Sequence, residues 1–276
     1  MKKRILKALA FIAALAIIAG VIFFSCSFMG NPVSYLLTRR TAKDHISDTY
    51  PGTDLVIEEI NYDFKTGGYY ARVKSPSSPD THFSLSFDLL GNLRYDSYEY
   101  DVAQKGNTAR RLDAEYRRIT DAVFQSPLFP YDTDMDYGML MIYPKKEIGS
   151  GSGIPAYAMP LEELVLDGIY DMRSIGERAG SLVIYVNSDT VTAEKAAEIM
   201  LKIKEIFSDA GIGFAAMDFT LLHPKDINDS SRPEGQISVI DFPFSDIYEE
   251  GMVQRVKDAH EALMSYYAEM DSKNGK

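Results

Sequence analysis

Hydrophobic and polar positions divide the chain into one long apolar stretch and a series of shorter alternating patterns. Residues 8–38 carry no charged side chain, and four basic residues precede them: Lys2, Lys3, Arg4 and Lys7. The apolar part, 8–29, is long enough for a helix rising about 1.5 Å per residue to span a hydrocarbon core of about 30 Å. Because basic residues favour the cytoplasmic side, the pattern predicts a cytoplasmic leader at 1–7, a transmembrane helix at 8–29 and the remaining chain outside.

Two alternatives for the N-terminus stay open. A cleaved signal peptide has a shorter apolar region and a small-x-small cleavage site, which Ser25 and Ser27 supply poorly. A lipoprotein would be acylated on Cys26, the sole cysteine, but Phe23 and Phe24 crowd the positions before it. The sequence therefore favours an uncleaved anchor, with lipidation at Cys26 or release after cleavage as the alternatives.

The next part of the chain, 31–130, has the pattern of a helix, an antiparallel meander and a second helix. Asn31-Pro32 is a favourable helix start, and the proline in Tyr50-Pro51-Gly52 predicts the helix end. Apolar residues alternate with polar ones in four strands, which we expect within 59–64, 69–74, 83–88 and 93–100. Apolar residues then recur at spacings of three and four, which predicts a helix packed on this sheet: Ala109, Leu112, Tyr116, Ile119 and Val123.

The last part of the chain, 131–276, mixes strand and helix patterns. Strands are predicted at 139–143, 182–186, 214–222 and 236–242, and helices at 192–210, at 250–270 and, in a short form, from Leu161. Gly211 suits the position after a helix end. The predicted fold class is therefore α+β. A single N-terminal transmembrane helix precedes two small α+β domains, 31–130 with a helix plus antiparallel meander and 131–276 with a mixed sheet and helices on one face.

Composition and charge restrict the class of function. Hydrophobic residues make up 46% and charged residues 25%, as in an ordered globular protein. The net charge of −11 argues against nucleic acid as a partner, since phosphate binding requires clustered Lys and Arg. It also argues against electrostatic docking on anionic lipids. Because Cys26 is the only cysteine, no disulfide can form within the chain.

Two glycine-rich segments resemble ligand-binding loops but have the wrong context. Gly211, Gly213 and Ala216 match the spacing of a dinucleotide fingerprint, yet a helix precedes them and a strand follows, the reverse of the required order. The segment 149–153 lacks the Lys-Ser/Thr ending of a phosphate loop and the spacing of a nucleophile elbow. We expect a helix stop and a flexible connector, and no cofactor.

Acidic residues and histidines supply no recognisable metal or catalytic motif. Asp132, Asp134 and Asp136 begin like a calcium loop, but Tyr137 and Tyr143 occupy the places of its glycine and bidentate glutamate. The four histidines have no metal-ligand spacing, and we expect each at the surface or a sheet edge: His45, His82, His223 and His260. No catalytic, cofactor or metal site is therefore assigned, although a site assembled only in space stays open.

Tyrosine is abundant, with 18 residues, while tryptophan is absent. Five tyrosines could form an aromatic patch on the first sheet: Tyr69, Tyr70, Tyr95, Tyr98 and Tyr100. Such residues either stabilise a sheet face through cross-strand pairs or mark a site for a protein partner. The packing interpretation is preferred, and the partner site stays open.

Several motifs together resemble a known family. A basic start and one apolar helix are followed by Tyr50-Pro51-Gly52, Tyr62-Asp63-Phe64, Gly68-Tyr69-Tyr70 and Phe87-Asp88-x-x-Gly91-Asn92. These segments resemble the YfjL-like membrane proteins, and the first segment is similar in layout to PepSY-type domains. The resemblance covers mostly residues 1–125 and implies a bacterial envelope protein without assigned activity. PepSY-type domains are associated with binding or restraining peptidases, but no residue here is carried over as such a contact.

The sequence therefore predicts a membrane-anchored, non-enzymatic binding or regulatory module outside the cytoplasm, with an envelope protein or cell-wall component as its partner. One alternative is an envelope hydrolase whose site is assembled only in space. The other is a lipoprotein that receives a solute and is anchored through Cys26.

Overall fold

A computed structural model describes residues 2–151, 153–225 and 235–274. The chain divides into two compact units, 1–107 and 108–276, and the boundary falls in the first turn of helix α3 (Gly106–Phe124). Each unit combines a four-stranded sheet with helices. The predicted α+β class is therefore confirmed.

The first unit contains two helices and an antiparallel meander. Its four strands lie in the order β1-β2-β3-β4, and each pairs antiparallel with its neighbour. The elements are α1 (Lys2–Met29), α2 (Pro32–Thr49), β1 (Val56–Asp63), β2 (Gly68–Lys74), β3 (His82–Phe87), β4 (Leu93–Asp96) and a π-helical turn (Glu99–Ala103). The predicted helix-plus-meander layout is confirmed.

Helix α1 coincides with the apolar stretch of the sequence. Several of its large apolar side chains are exposed: Phe11, Ile12, Leu15, Ile17, Ile18, Val21 and Phe24. Among the residues that the structure describes, no helix combines the length and apolar character needed to cross a membrane. The transmembrane span at 8–29 therefore stays a prediction. The side chain of Cys26, the alternative lipidation site, lies outside the described part of the chain.

The junction between α1 and α2 is held by one tyrosine. The backbone amide of Asn31 donates a hydrogen bond to the Tyr69 hydroxyl at 2.7 Å, and this hydroxyl donates to the Asn31 carbonyl at 2.9 Å. Gly30 has φ of 74°, and a Cβ there would lie 2.3 Å from the Tyr69 oxygen. Only glycine therefore fits the junction.

Helix α2 begins and ends where the sequence predicts. The Asn31 side chain accepts a hydrogen bond from the Ser34 amide at 2.8 Å and caps the helix, while Pro32 occupies its first turn. The buried side chains of α2 are small: Ser34, Thr38 and Ala42. This stripe lies against a sheet face built from large apolar residues: Val73, Phe83, Leu85 and Phe87. Small residues allow the helix to approach the sheet closely.

The fourth strand is shorter than predicted. The expectation extended it to residue 100, but β4 ends at Asp96. There the Asp96 carboxylate accepts a hydrogen bond from the Tyr98 amide at 2.8 Å, and the Asp101 amide bonds to the Ser97 carbonyl. A local side-chain bond competes with the strand ladder and turns the chain into the π-helical turn.

The second unit is built on a mixed sheet with the order β10-β9-β8-β5. Strands β8 and β9 are parallel, and the two outer pairs are antiparallel. The elements are α3, β5 (Thr133–Leu140), β6 (Ile142–Tyr143), β7 (Met159–Pro160), α4 (Met172–Ala179), β8 (Gly180–Asn187), α5 (Ala193–Asp209), β9 (Ala216–Leu222), β10 (Gln236–Pro243) and α6 (Met252–Asn274). The predicted mixed sheet is confirmed.

One face of this sheet forms the main core. Leu182, Ile184 and Phe219 pack with α5 residues that recur at helical spacing, among them Met200 and Phe207. Helix α6 joins the same core through Met252 and Val256. The amphipathic pattern of α5 and the continuous apolar run of β8 predicted this packing correctly.

Three details of the second unit differ from the sequence predictions. Helix α3 was expected on the first sheet, but Leu112 and Tyr116 pack in a core of the second unit, beside Ile175 of α4. The short helix from Leu161 is only a 3₁₀ turn, and the strand predicted at 139–143 is split, with β5 starting at Thr133. An amphipathic pattern identifies a buried face but not the surface that covers it, which explains the error on α3.

We expect Tyr69→Phe to lower the free energy of unfolding of the first unit by about 1–3 kcal/mol, because the Asn31 amide loses its partner and the Asn31 carbonyl loses one of its two. Urea unfolding of the full chain measures the change. Tyr95→Phe is the matched control, since Tyr95 is 59% exposed. An equal effect of both substitutions would contradict the assigned role of the Tyr69 hydroxyl.

Candidate functional site

A groove lies in the first unit between α2 and the outer edge of the sheet. Strand β1 is the end strand of its sheet, so β2 is its strand partner on one side and the groove follows its other side. The cavity holds about 500 Å³, within the range of about 300–1,000 Å³ that is usual for ligand sites. Its walls include Tyr35, Arg39 and Lys43 from α2 and Val56, Glu58 and Ile60 from β1.

The charges on the two walls are unequal. On the strand wall, Lys74 pairs with Glu58, and Arg72 pairs with Glu59 at 3.1 Å. The hydrogen bond from Lys74 lowers the pKa of Glu58 below its usual value. On the helix wall, Arg39 and Lys43 form no ion pair within the part of the chain that the structure describes. The groove therefore offers two uncompensated positive charges.

A second cavity of about 340 Å³ continues toward the junction of α1 and α2. It shares Tyr35 and Ile60 with the first cavity, and its other walls include Asn31, Tyr62 and Tyr69. The rings of Tyr62 and Tyr69 lie 5.1 Å apart between centroids. The hydrogen bonds of Tyr69 thus fix one end of a groove that follows most of β1.

The strand wall is an open sheet edge. An edge strand presents peptide N–H and C=O groups that can pair with an added strand. The register of β1 against β2 shifts between Ile57 and Glu59, so a bulge interrupts its pairing there. The groove therefore combines backbone donors and acceptors on one wall with cations on the other, which suits an extended peptide carrying acidic side chains.

A histidine–aspartate pair lies at the far end of α2. Nε2 of His45 lies 2.7 Å from Oδ2 of Asp96, and the Tyr50 hydroxyl donates to the same oxygen at 2.7 Å. Oγ1 of Thr49 lies 3.2 Å from Nδ1 of His45. Burial and the bond to Asp96 raise the pKa of Tyr50 above its usual value. The Tyr50 ring also packs 4.4 Å from that of Tyr98, so the cluster ties the helix end to the sheet.

The five tyrosines considered for an aromatic patch do not lie on one surface. Tyr69 is buried at the helix junction, and Tyr98 packs against Tyr50 and Phe83. Tyr70 and Tyr95 are exposed on the opposite face of the sheet, each paired in register with Ser86. Packing therefore accounts for Tyr69 and Tyr98. Tyr70 and Tyr95 remain exposed on the sheet, and Tyr100 is exposed on the π-helical turn.

The second unit contains two neighbouring aspartates, Asp218 and Asp241, and a tyrosine hydroxyl donates a hydrogen bond to one of them. The Asp241 amide donates to Oδ1 of Asp218 at 2.7 Å, and the Tyr157 hydroxyl donates to Oδ1 of Asp241 at 2.8 Å. Asp241 has φ of 51° at the bulge of β10, a left-handed conformation that costs a non-glycine residue about 1 kcal/mol or more. Burial, with the neighbouring Asp241 charge, raises the pKa of Asp218.

A separate apolar cavity of about 530 Å³ lies in the second unit between α3 and α5. Its lining includes Ile119, Val123 and Ile206, with Arg118 and Asp209 among its polar residues. Both signs of charge are present, so the lining selects no particular head group. A small apolar molecule would fit its size.

The motifs discounted in the sequence occupy structural positions. Gly211 has φ of 70° after α5, and the carbonyl of Gly213 accepts a hydrogen bond from the Tyr116 hydroxyl at 2.8 Å. The order of helix and then strand agrees with the prediction. The connector 149–153 contains turns, and its residue 152 lies outside the described residues.

The acidic residues of the discounted calcium motif bind protein groups. Nδ2 of Asn187 donates to Asp132 at 3.1 Å and to Asp134 at 3.0 Å, and Lys225 also pairs with Asp134 at 3.0 Å. The Thr133 hydroxyl donates to Asp136. Over residues 2–151, 153–225 and 235–274, no group of three or more potential ligands is placed to hold a metal ion.

The histidine prediction is correct in part. His82 is exposed on β3, and His260 of α6 lies 3.2 Å from the backbone of Ser238 on the edge strand β10. His45 is the exception, because its side chain is only 20% exposed and bonds to Asp96. Sequence reasoning also missed Asp218, although a charged residue within the apolar run 216–222 was a usable signal.

The fold and the groove define the class of this protein as a two-domain α+β chain with an open sheet edge. Family models for the YfjL-like N-terminal domain and the YfjL-like C-terminal domain match residues 5–97 and 115–257. The chain therefore belongs to the YfjL-like family, as the sequence motifs indicated. No curated protein and no solved structure matches the chain. The similarity to PepSY-type domains stays a prediction.

We expect Asp218→Asn to raise the melting temperature at pH 7 while keeping the acceptor for the Asp241 amide. The fold raises the pKa of Asp218, so the native state holds its proton more tightly than the unfolded chain. The protonated Asp218 therefore makes its full contribution to the free energy of unfolding below the pKa of the unfolded chain, about 3.9. This contribution is lost as the pH rises through the higher pKa of the folded state. The advantage of the variant should grow between pH 4 and pH 7 in thermal unfolding.

Asp88→Asn is the control of opposite sign, because hydrogen bonds from Asn92 lower the pKa of Asp88 in the fold. Its deficit relative to the parent chain should shrink as pH falls. An Asp218→Asn difference that does not change with pH would show that Asp218 is not destabilised by ionisation.

Proposed function

We propose that the chain is a membrane-anchored binding module of the bacterial envelope, with helix 8–29 in the membrane and both units outside the cytoplasm. The charge-free apolar sequence after four basic residues supports the anchor and its orientation. The exposed apolar side chains along α1 are consistent with a helix surrounded by lipid. The proposed activity is binding without catalysis.

The observation that carries the binding function is the groove beside β1. One wall of this groove is the free edge of β1, and the other carries Arg39 and Lys43, which form no ion pair within the described residues. We propose that an extended segment of a partner protein adds to β1 as a fifth strand. Its acidic side chains would then pair with the two cations of α2. A PepSY-like role, in which the first unit binds or restrains another envelope protein, fits this mode of binding.

Two observations favour second candidates. The apolar cavity between α3 and α5 favours a solute receptor, which would be a lipoprotein anchored through Cys26. The carboxyl pair Asp218 and Asp241 favours an envelope hydrolase, since neighbouring carboxyl groups in different environments can share acid and base roles. Neither site joins as many independent features as the groove.

We expect the double substitution Arg39→Glu and Lys43→Glu to weaken partner binding by about 5- to 30-fold, because two attractions become repulsions. A photoreactive residue at Val56, which is exposed on β1, measures capture in intact cells. Arg40→Glu is the matched control, since Arg40 is on the same helix but pairs with Asp44 at 3.8 Å.

The crosslinked segment should map by mass spectrometry to an acidic, extended region of one protein. Capture that does not depend on Arg39 and Lys43, or that maps to a basic helix, would contradict the proposed mode of binding. Crosslinking from Ile169, an exposed position in the second unit, gives the background level.

For the anchor, we expect the full chain to stay with membranes after an alkaline wash, and a C-terminal reporter enzyme that folds only outside the cytoplasm to be active. Mass spectrometry should find the N-terminus intact and Cys26 unmodified, and Cys26→Ala should leave the protein in the membrane fraction. An acylated Cys26 would instead support the lipoprotein alternative. Recovery of the intact chain in the soluble fraction would overturn the anchor.

A further inference from the structure

Helix α2 has an unusual distribution of side chains. The residues that face the sheet are small, and two of them carry hydroxyl groups: Ser34, Thr38 and Ala42. Large apolar residues instead point outward, with Val33 67%, Leu36 61% and Leu37 42% exposed. A helix that contacts only water on its outer side normally has the opposite arrangement. The outer side of the first turns of α2 therefore has an apolar surface without a cover within the described residues.

The turn between β3 and β4 extends this surface. Leu89 and Leu90 at its tip are 45% and 72% exposed. The Ser34 hydroxyl donates a hydrogen bond to the Leu89 carbonyl, which holds the tip beside the first turn of α2. Gly91 has φ of 78°, and a Cβ there would lie 2.7 Å from Cβ of Leu37, so the turn packs tightly against the helix. The five exposed residues form one surface, here named the apolar collar: Val33, Leu36, Leu37, Leu89 and Leu90.

The apolar collar lies close to the end of α1. Only Gly30 and Asn31 separate Met29, the last residue of α1, from the first residue of α2. Four residue steps from Met29 to Val33 span at most about 14 Å. The polar headgroup layer of a membrane is about 5–8 Å thick on each side. A helix that leaves the hydrocarbon at Met29 would therefore place Val33 within or next to that layer.

We propose that the apolar collar contacts the lipid bilayer that holds α1 and inserts its leucines at the boundary between headgroups and acyl chains. This inference rests on the proposed membrane anchor. The contact is apolar and not electrostatic, since all five residues of the apolar collar are aliphatic. It explains why the outer side of α2 is apolar only near α1, whereas its later exposed positions include Arg40, Lys43 and Asp44. The bilayer would then support the first unit at a fixed height, and the groove beside β1 would open near the membrane surface.

The absence of tryptophan from the chain allows a direct test. Leu90→Trp introduces a single fluorescent reporter on the turn between β3 and β4, and Val33→Trp introduces one on the α2 part of the apolar collar. Ile169→Trp is the control, because Ile169 is 97% exposed in the second unit. Each full-length variant is reconstituted into phosphatidylcholine vesicles, with flotation as the check of membrane insertion. The vesicles contain or lack lipids brominated on the upper acyl chain.

We expect the emission of Leu90→Trp and Val33→Trp to shift to shorter wavelength in vesicles. Brominated lipids should quench it by about half or more, as for a side chain at the interface, while Ile169→Trp keeps its aqueous emission. If the protein floats but both reporters match the control, the inference is wrong and the anchor stands. A blue shift without quenching would overturn it in favour of a protein partner or a second copy. Failure to float would overturn the anchor and the inference together.

Discussion

The hydroxyl group of Tyr69 satisfies both peptide groups of Asn31, and through them it joins α1, α2 and the centre of the first sheet. Without this hydroxyl the Asn31 amide would lack a partner in a half-buried position, while the Asn31 carbonyl also accepts from the Tyr35 amide at 3.1 Å. The same contact requires glycine at position 30, because any Cβ would collide with the phenol. The direction in which the first unit continues from α1 is therefore set by one buried side chain and one missing side chain.

Helix α2 contributes residues to three different surfaces. Its small residues lie on the sheet, Arg39 and Lys43 line the groove beside β1, and its first outward-facing residues form part of the apolar collar. A helix that packed on the sheet with large apolar residues would lie farther from it, and one that was apolar on every side would have no charged residues in the groove. Small core-facing residues avoid this conflict, because backbone proximity replaces side-chain volume in the contact. The charged groove positions and the exposed apolar positions can then occupy different sides of one helix.

Local signals in the sequence were sufficient to locate most helices and strands, but they did not show which elements pack against one another. Asn31-Pro32 and the proline at 51 located α2, and helical spacing located α3 and α5. The partner of α3 was assigned wrongly, since periodicity marks a buried face without identifying the opposite surface. The groove was not predicted, because the sequence does not show that β1 is an end strand or that Arg39 and Lys43 lie beside it. The pair Asp218 and Asp241 lies on two adjacent strands, and the bulge in β10 brings the two residues together, which no spacing rule encodes.

The bulge in β1 also affects self-association of the protein through its edge strand. Two identical edge strands that meet across a dimer axis need an uninterrupted ladder on both copies to build a continuous intermolecular sheet. The register shift between Ile57 and Glu59 is a bulge in the pairing of β1 with β2, and a bulge bends its strand, which disfavours a flat, continuous ladder along the outer edge. Paired acidic and basic residues beside it make close self-association costlier still. At high local concentration, β1 is thus a poorer template for a continuous sheet of identical copies than a flat, unbroken edge strand would be.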